Sequence, residues 1–205
     1  MRHIPSSETR FAEVLTFADA LRPTCDDYDR EAWLYVPDRY SEYRYILGTR
    51  GVRPLICIGV NPSTAVPGRL DNTLKSAERI ALFNGYDSFI MFNVYAQRAT
   101  LPEDMDRELN PLLHEENMKA FRYVLERSSG APSVWAAWGA VIEKRDYLPL
   151  CVRDMAEIGR EYGAVWYTAG PRSRAGHPHH PLYLKKDSVL EPFDDLEDYL
   201  RTLQK

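Results

Sequence analysis

Two asparagines and a run of histidines carry the polar chemistry of this chain. Asn61 follows the apolar run Leu55-Ile56-Cys57-Ile58-Gly59-Val60, and Asn93 lies near the end of a second run, Ser88 to Val94. An asparagine amide donates and accepts at once, which suits the edge of a nucleobase or another amide-like ligand. Pro62 has no N–H to extend a strand and biases Asn61 toward extended backbone, so the Asn61 amide is expected at a strand's carboxyl end. The bland alternative is a strand that merely turns, with Asn and Pro as loop formers. Between Gly176 and Leu184 stand His177, His179 and His180, three of the chain's five histidines. They read as imidazoles that donate to developing negative charge, as metal ligands, or as plain polar loop residues. No paired cysteine or His-x-x-Glu supports the metal reading, so no metal is expected. Asp71 is the carboxylate that follows Asn61 most closely, suited to a general base and equally to a helix N-cap.

These residues must be placed by strands and helices in alternation. Leu55 to Val60 is too short for a helix and apolar enough for a strand buried on both faces. Ser88 to Val94, Ser133 to Trp138 and Ala164 to Thr168 read as three further core strands. Helices are expected over Thr73 to Phe83, capped by Asp71 and closed by Asn84-Gly85, over Asn110 to about Arg127, and over Pro149 to Tyr162. Amphipathic helices are also expected over residues 8–22 and 194–203. Tyr43 to Leu47 reads as an antiparallel neighbour of the Leu55 strand, and 26–43 stays unassigned. The expected fold is one three-layer αβα domain over residues 1–205, core about 43–190, with a mostly parallel four-stranded sheet plus an antiparallel edge strand. Four joints then gather at the sheet's carboxyl edge, where open α/β sheets bind ligands: Asn61 to Asp71, Asn93 to Pro102, Trp138 to Ala140, and Thr168 to Leu184.

Charge distribution says more than the net charge of −4. Acids crowd both ends of the chain, whereas residues 43–70 and 162–186 contain none and carry arginines, lysines and the clustered histidines. Two acid-free segments on an acidic protein point to a local anion-facing surface. No run approaches the roughly 18 apolar residues of a membrane span, and residues 1–5 lead into no apolar signal region, so a soluble cytoplasmic protein without membrane partners is expected. Cys25, Cys57 and Cys151 fit neither a disulfide framework nor a CxxC site.

The motif order GVNPS, FNVYAQRA, VWAAWGAVIEK and HPHHPLYL resembles the uracil-DNA glycosylase superfamily. More narrowly, NPSTA, the following DNT, NVYAxRA, AWG and GHPxHPLY resemble the bacterial and phage family catalogued as domain of unknown function 1643, over about residues 30–190. The wider resemblance implies a uracil-DNA glycosylase-like fold and a cofactor-free enzyme that hydrolyses an N-glycosidic bond in DNA or a nucleotide. It implies that Asn61 positions the attacking water, Asn93 reads a base edge by accepting from a ring N–H and donating to a carbonyl, and His180 stabilises the leaving base, with His177 as a rival. Backbone N–H groups near Ser63 and Thr64 suit a phosphate at the following helix start. Tyr95 or Phe92 suits base stacking, and Arg98 joins the ligand-binding set. The chain departs from the pattern in three ways: Asn61 stands where the strongest uracil-removing branch has a carboxylate, no aromatic follows the turn, and Pro181-Leu182-Tyr183 is the sole candidate wedge for a vacated duplex. The alternatives are a non-catalytic nucleotide or nucleic-acid binding module, and a hydrolase or transferase on a small anionic substrate.

Overall fold

A computed structural model describes residues 2–203, so residues 1, 204 and 205 of the expected domain lie outside the described residues. One seven-stranded sheet organises the chain, in the order β1-β2-β4-β3-β5-β6-β7. The strands are β1 (Trp33–Val36), β2 (Ile46–Thr49), β3 (Pro54–Gly59), β4 (Ser88–Asn93), β5 (Ser133–Ala136), β6 (Val165–Ala169) and β7 (Leu190–Pro192). The central four, β4-β3-β5-β6, are parallel, while β1, β2 and β7 add antiparallel pairings at the two sides.

Strand β3 alternates within its apolar run. Ile56, Ile58 and Val60 pack with α3 (Pro111–Glu126), α4 (Leu148–Glu161) and α5 (Leu196–Thr202), whereas Leu55 and Cys57 pack with α2 (Asn72–Phe83). Burial on both faces explains why the strand is a continuous hydrophobic run. Asp71 caps α2 by accepting from Leu74 N at 2.9 Å, and Asn110 caps α3 by accepting from Leu113 N at 3.2 Å ahead of Pro111. Both caps are the ones expected from the sequence.

Three expectations need correction. The sheet has seven strands, not five: β1 lies in the aromatic-rich stretch left unassigned, and β7 is a three-residue edge strand whose Glu and Pro disguise it. Strand β2 pairs with β4, not with β3. Asp87, just before β4, accepts from Val52 N and Arg53 N at 2.9 Å each and so holds the connecting loop at the amino end of β4, with β2 and β3 on either side. Gly48 permits the close approach of β2, since a Cβ there would lie 2.3 Å from the Phe89 carbonyl oxygen. The expected helix over 8–22 is a 3-10 turn (Thr9–Phe11) and the short α1 (Phe17–Ala20). Its backbone groups bond elsewhere: Thr9 N to Asp106, Leu15 N to the Tyr43 hydroxyl and Phe17 N to Glu116. No helix among the described residues is long and apolar enough to cross a membrane.

Candidate functional site

The four joints meet beyond the carboxyl ends of the parallel strands, around a cavity of about 710 Å³. Its wall takes Gly59 to Ser63 from the end of β3, Met91 and Asn93 from β4, Trp138 to Val141 after β5, Pro178 to His180 after β6, and Asp71 to Leu74 from the start of α2. Asn61, Asp71, Asn93 and His180 all face this one cavity.

Asn61 is held by its donor end. Its Nδ2 donates to the Pro62 carbonyl at 3.1 Å and the Ala99 carbonyl at 2.8 Å. Two carbonyl acceptors fix the amide orientation and leave Oδ1 as the acceptor for the cavity. Asn93 is held the opposite way. Its Oδ1 accepts from Arg44 Nη2 at 3.3 Å, while its Nδ2 is buried without an acceptor among the described residues. Oδ1 keeps a second lone pair, so the amide has both a free donor and a remaining acceptor position for a ligand.

Arg44 is 1% exposed and lines the cavity. It donates through Nη1 to the Ala65 carbonyl at 3.2 Å and leaves Nε without a partner. Arg98, buried behind the wall, donates to the carbonyls of Ser63 and Ala65 and to the Tyr35 hydroxyl, with its guanidinium 4.3 Å from the Tyr40 ring centroid. The two guanidiniums thus share one carbonyl and brace the Ser63–Ala65 turn. Burial, reinforced by Arg98, pulls the Arg44 pKa down to about 9.

Among the described residues Asp71 is the one carboxylate on the cavity wall. One oxygen caps α2, and its charge raises the pKa of both Arg44 and His180, opposing their burial. For His180 burial wins and the imidazole pKa falls below its ordinary value. Its Nδ1 accepts from Leu182 N at 3.4 Å, so the neutral ring carries its proton on Nε2. Leu182 (47% exposed) and Tyr183 (79% exposed) stand at the rim, Tyr183 with its ring centroid 6.0 Å from that of His180.

A family model described as Protein of unknown function (DUF1643) matches residues 44–182. The chain belongs to the DUF1643 family. That span begins on Arg44 and ends on Leu182, so it contains nearly the whole cavity wall of the DUF1643 domain. No curated protein and no solved structure matches the chain.

Other residues expected at a site fall differently in the DUF1643 domain. Ser63 lines the cavity with its hydroxyl 3.2 Å from that of Thr100, whereas Thr64 is off the wall. Tyr95 is fully buried, bonded to Asp106 at 2.6 Å and facing Tyr147, which removes it as a stacking platform; Phe92 is buried against Phe121. His177 is 1% exposed, with Nδ1 3.0 Å from the Tyr199 hydroxyl and Nε2 3.1 Å from Glu143, so of the two rival histidines only His180 meets the cavity. His179 also lines it. Among the described residues, no three His, Cys, Asp or Glu side chains gather as a metal site. Arg44 was missed from sequence as a site residue. Its one signal was its place in the first acid-free segment.

Proposed function

We propose that this DUF1643 domain is a glycosylase-like hydrolase that recognises a nucleobase in DNA or a nucleotide and cleaves its N-glycosidic bond. The observation that carries the reading is the convergence of Asn61, Asp71, Asn93 and His180 on one cavity. The motif order supports a uracil-DNA glycosylase-like fold around it.

The chemistry divides among acceptors and donors. Asn61 Oδ1, rigid because Nδ2 is tied to two carbonyls, orients a water, and the second oxygen of Asp71 takes its proton as general base. The water oxygen bonds to the sugar carbon as the carbon–nitrogen bond breaks, and the bonding pair leaves with the base. His180, neutral and protonated at Nε2, donates to the charge developing on that base. Asn93 Nδ2 donates to an acceptor on the bound ligand.

The test is release of free base from single- and double-stranded oligonucleotides and from nucleotides carrying uracil, mismatched or modified bases. Release that drops by about 10²–10⁴-fold in Asn61→Ala and His180→Ala supports the enzyme. A second reading, a binding module without catalysis, is favoured by the amide at Asn61 and by the commitment of one Asp71 oxygen to the α2 cap. Salt-sensitive binding without release selects that module, and no binding of any nucleotide or nucleic acid overturns both.

A further inference from the structure

The cavity wall offers buried donors and a guanidinium that no carboxylate bonds among the described residues. Arg44 Nε and Asn93 Nδ2 are both buried and both without an acceptor among the described residues. Arg44 directs two of its bonds to neutral oxygens, Ala65 O and Asn93 Oδ1, and Arg98 behind it likewise binds only neutral oxygens among the described residues. A buried guanidinium that no carboxylate bonds is costly to desolvate, and a second one sharing its carbonyl adds repulsion. Among the described residues Asp71 is the one carboxylate on the wall, and its charge acts on Arg44 on the wall and on Arg98 behind it, so two guanidiniums outnumber one carboxylate. The first turn of α2 points the same way, because Asn72 and Thr73 line the cavity where helix N–H groups have no intrahelical acceptor.

We infer that Arg44, Asn93 and the first turn of α2 form a closed anion subsite that takes the terminal phosphate of a free nucleotide. This rests on the nucleotide reading of the cavity and narrows its substrate class. Both side chains are 1% exposed, while Leu182 and Tyr183 mark the open rim, so the subsite is the inner end of the cavity. A terminal phosphate ends a molecule and fits such a dead end, whereas a phosphodiester inside a strand must leave by two directions. Asn93 Nδ2 is a donor without an acceptor among the described residues, a need that an oxygen anion satisfies and a ring N–H does not.

The experiment is calorimetric titration of the wild-type protein, Arg44→Met and Asn93→Asp with uridine, uridine 5′-monophosphate, inorganic phosphate, acetate and a uracil-containing oligonucleotide without terminal phosphates. The wild type should bind the monophosphate at least about tenfold more tightly than uridine or the oligonucleotide, a charge-assisted difference, and Arg44→Met should erase that margin. Asn93→Asp supplies Arg44 with an internal counter-ion. It should therefore lose the margin while melting at or above the wild-type temperature, which separates loss of the subsite from loss of the fold. Equal affinity for uridine and its monophosphate, or an unchanged margin in Arg44→Met, overturns the subsite and leaves the nucleobase reading standing. Phosphate binding that depends on Arg44, with no preference for any nucleoside, keeps the subsite and overturns the nucleobase reading. Acetate bound as well as phosphate, or oligonucleotide bound as well as the monophosphate, overturns the assignment to a terminal phosphate.

Discussion

Beyond the end of β4 the chain builds two buried polar clusters. On the side of α3 and α4, the Asp106 carboxylate accepts from Thr9 N at 2.9 Å, the Thr9 hydroxyl, the Tyr95 hydroxyl at 2.6 Å and Gln97 Nε2 at 2.9 Å. Its backbone N–H donates to Gln97 Oε1 at 2.6 Å, and its carbonyl accepts from Arg145 and Tyr147. On the side of α2, Arg44 and Asn93 satisfy each other once and then leave a donor each without a partner. The first cluster closes on itself and acts as scaffold. The second stays open toward a cavity, at a cost the fold must offset elsewhere. What sets the second cluster apart is unpartnered donors on residues that line the cavity.

The comparison breaks most visibly at Asp106. Asp106→Ala strands four donors at once, so we expect a loss of about 3 kcal/mol or more, read from the denaturant midpoint. A loss below about 1 kcal/mol would show that the closed cluster is not scaffold. A smaller stability effect is expected for Gly59→Ala, whose Cβ would lie 2.6 Å from Met91 Cε and 3.1 Å from Asn93 Nδ2. The flexible Met91 can yield, so stability should change by no more than about 1 kcal/mol. Monophosphate affinity, measured by titration, should fall several-fold because the Asn93 donor is displaced. The smallest effect is the pH response of His180. Its folded pKa lies below the ordinary 6.5 because the neutral ring is preferred, so its contribution to stability is present above that value and lost as pH falls through the lowered one. Melting temperatures from pH 7.5 down to 5 should therefore fall more steeply in the wild type than in His180→Gln; parallel curves would place His180 in water rather than in the cavity wall.

Legibility followed local pattern. The four parallel strands could be read because strands buried on both faces are short apolar runs, and Asn61 and Asn93 because amides at strand ends interrupt such runs. His180 was legible as one of two His-Pro candidates, and only the fold shows that His177 turns to Tyr199 and Glu143. Arg44 was not legible: between Tyr43 and Tyr45 it reads as the polar position of an alternating strand, and its inward direction depends on Ala65 and Asn93 from distant segments. Tyr95 misled for the matching reason, since its partner Asp106 lies in a loop that no periodicity links to it. The pairing of β2 with β4 was hidden because the Asp87 loop bonds are side chain to backbone, which no hydrophobic period records.

The most direct measurement of the contrast is a crossed one, in which stability and uridine 5′-monophosphate affinity are both determined for Arg44→Met and Asp106→Ala. We predict that Arg44→Met stays within about 1 kcal/mol of wild-type stability or exceeds it, while its preference for the monophosphate over uridine disappears. Asp106→Ala should be strongly destabilised and yet, below its unfolding transition, bind with wild-type affinity. If Arg44→Met is as destabilised as Asp106→Ala and still prefers the monophosphate, both clusters are scaffold and the account is wrong.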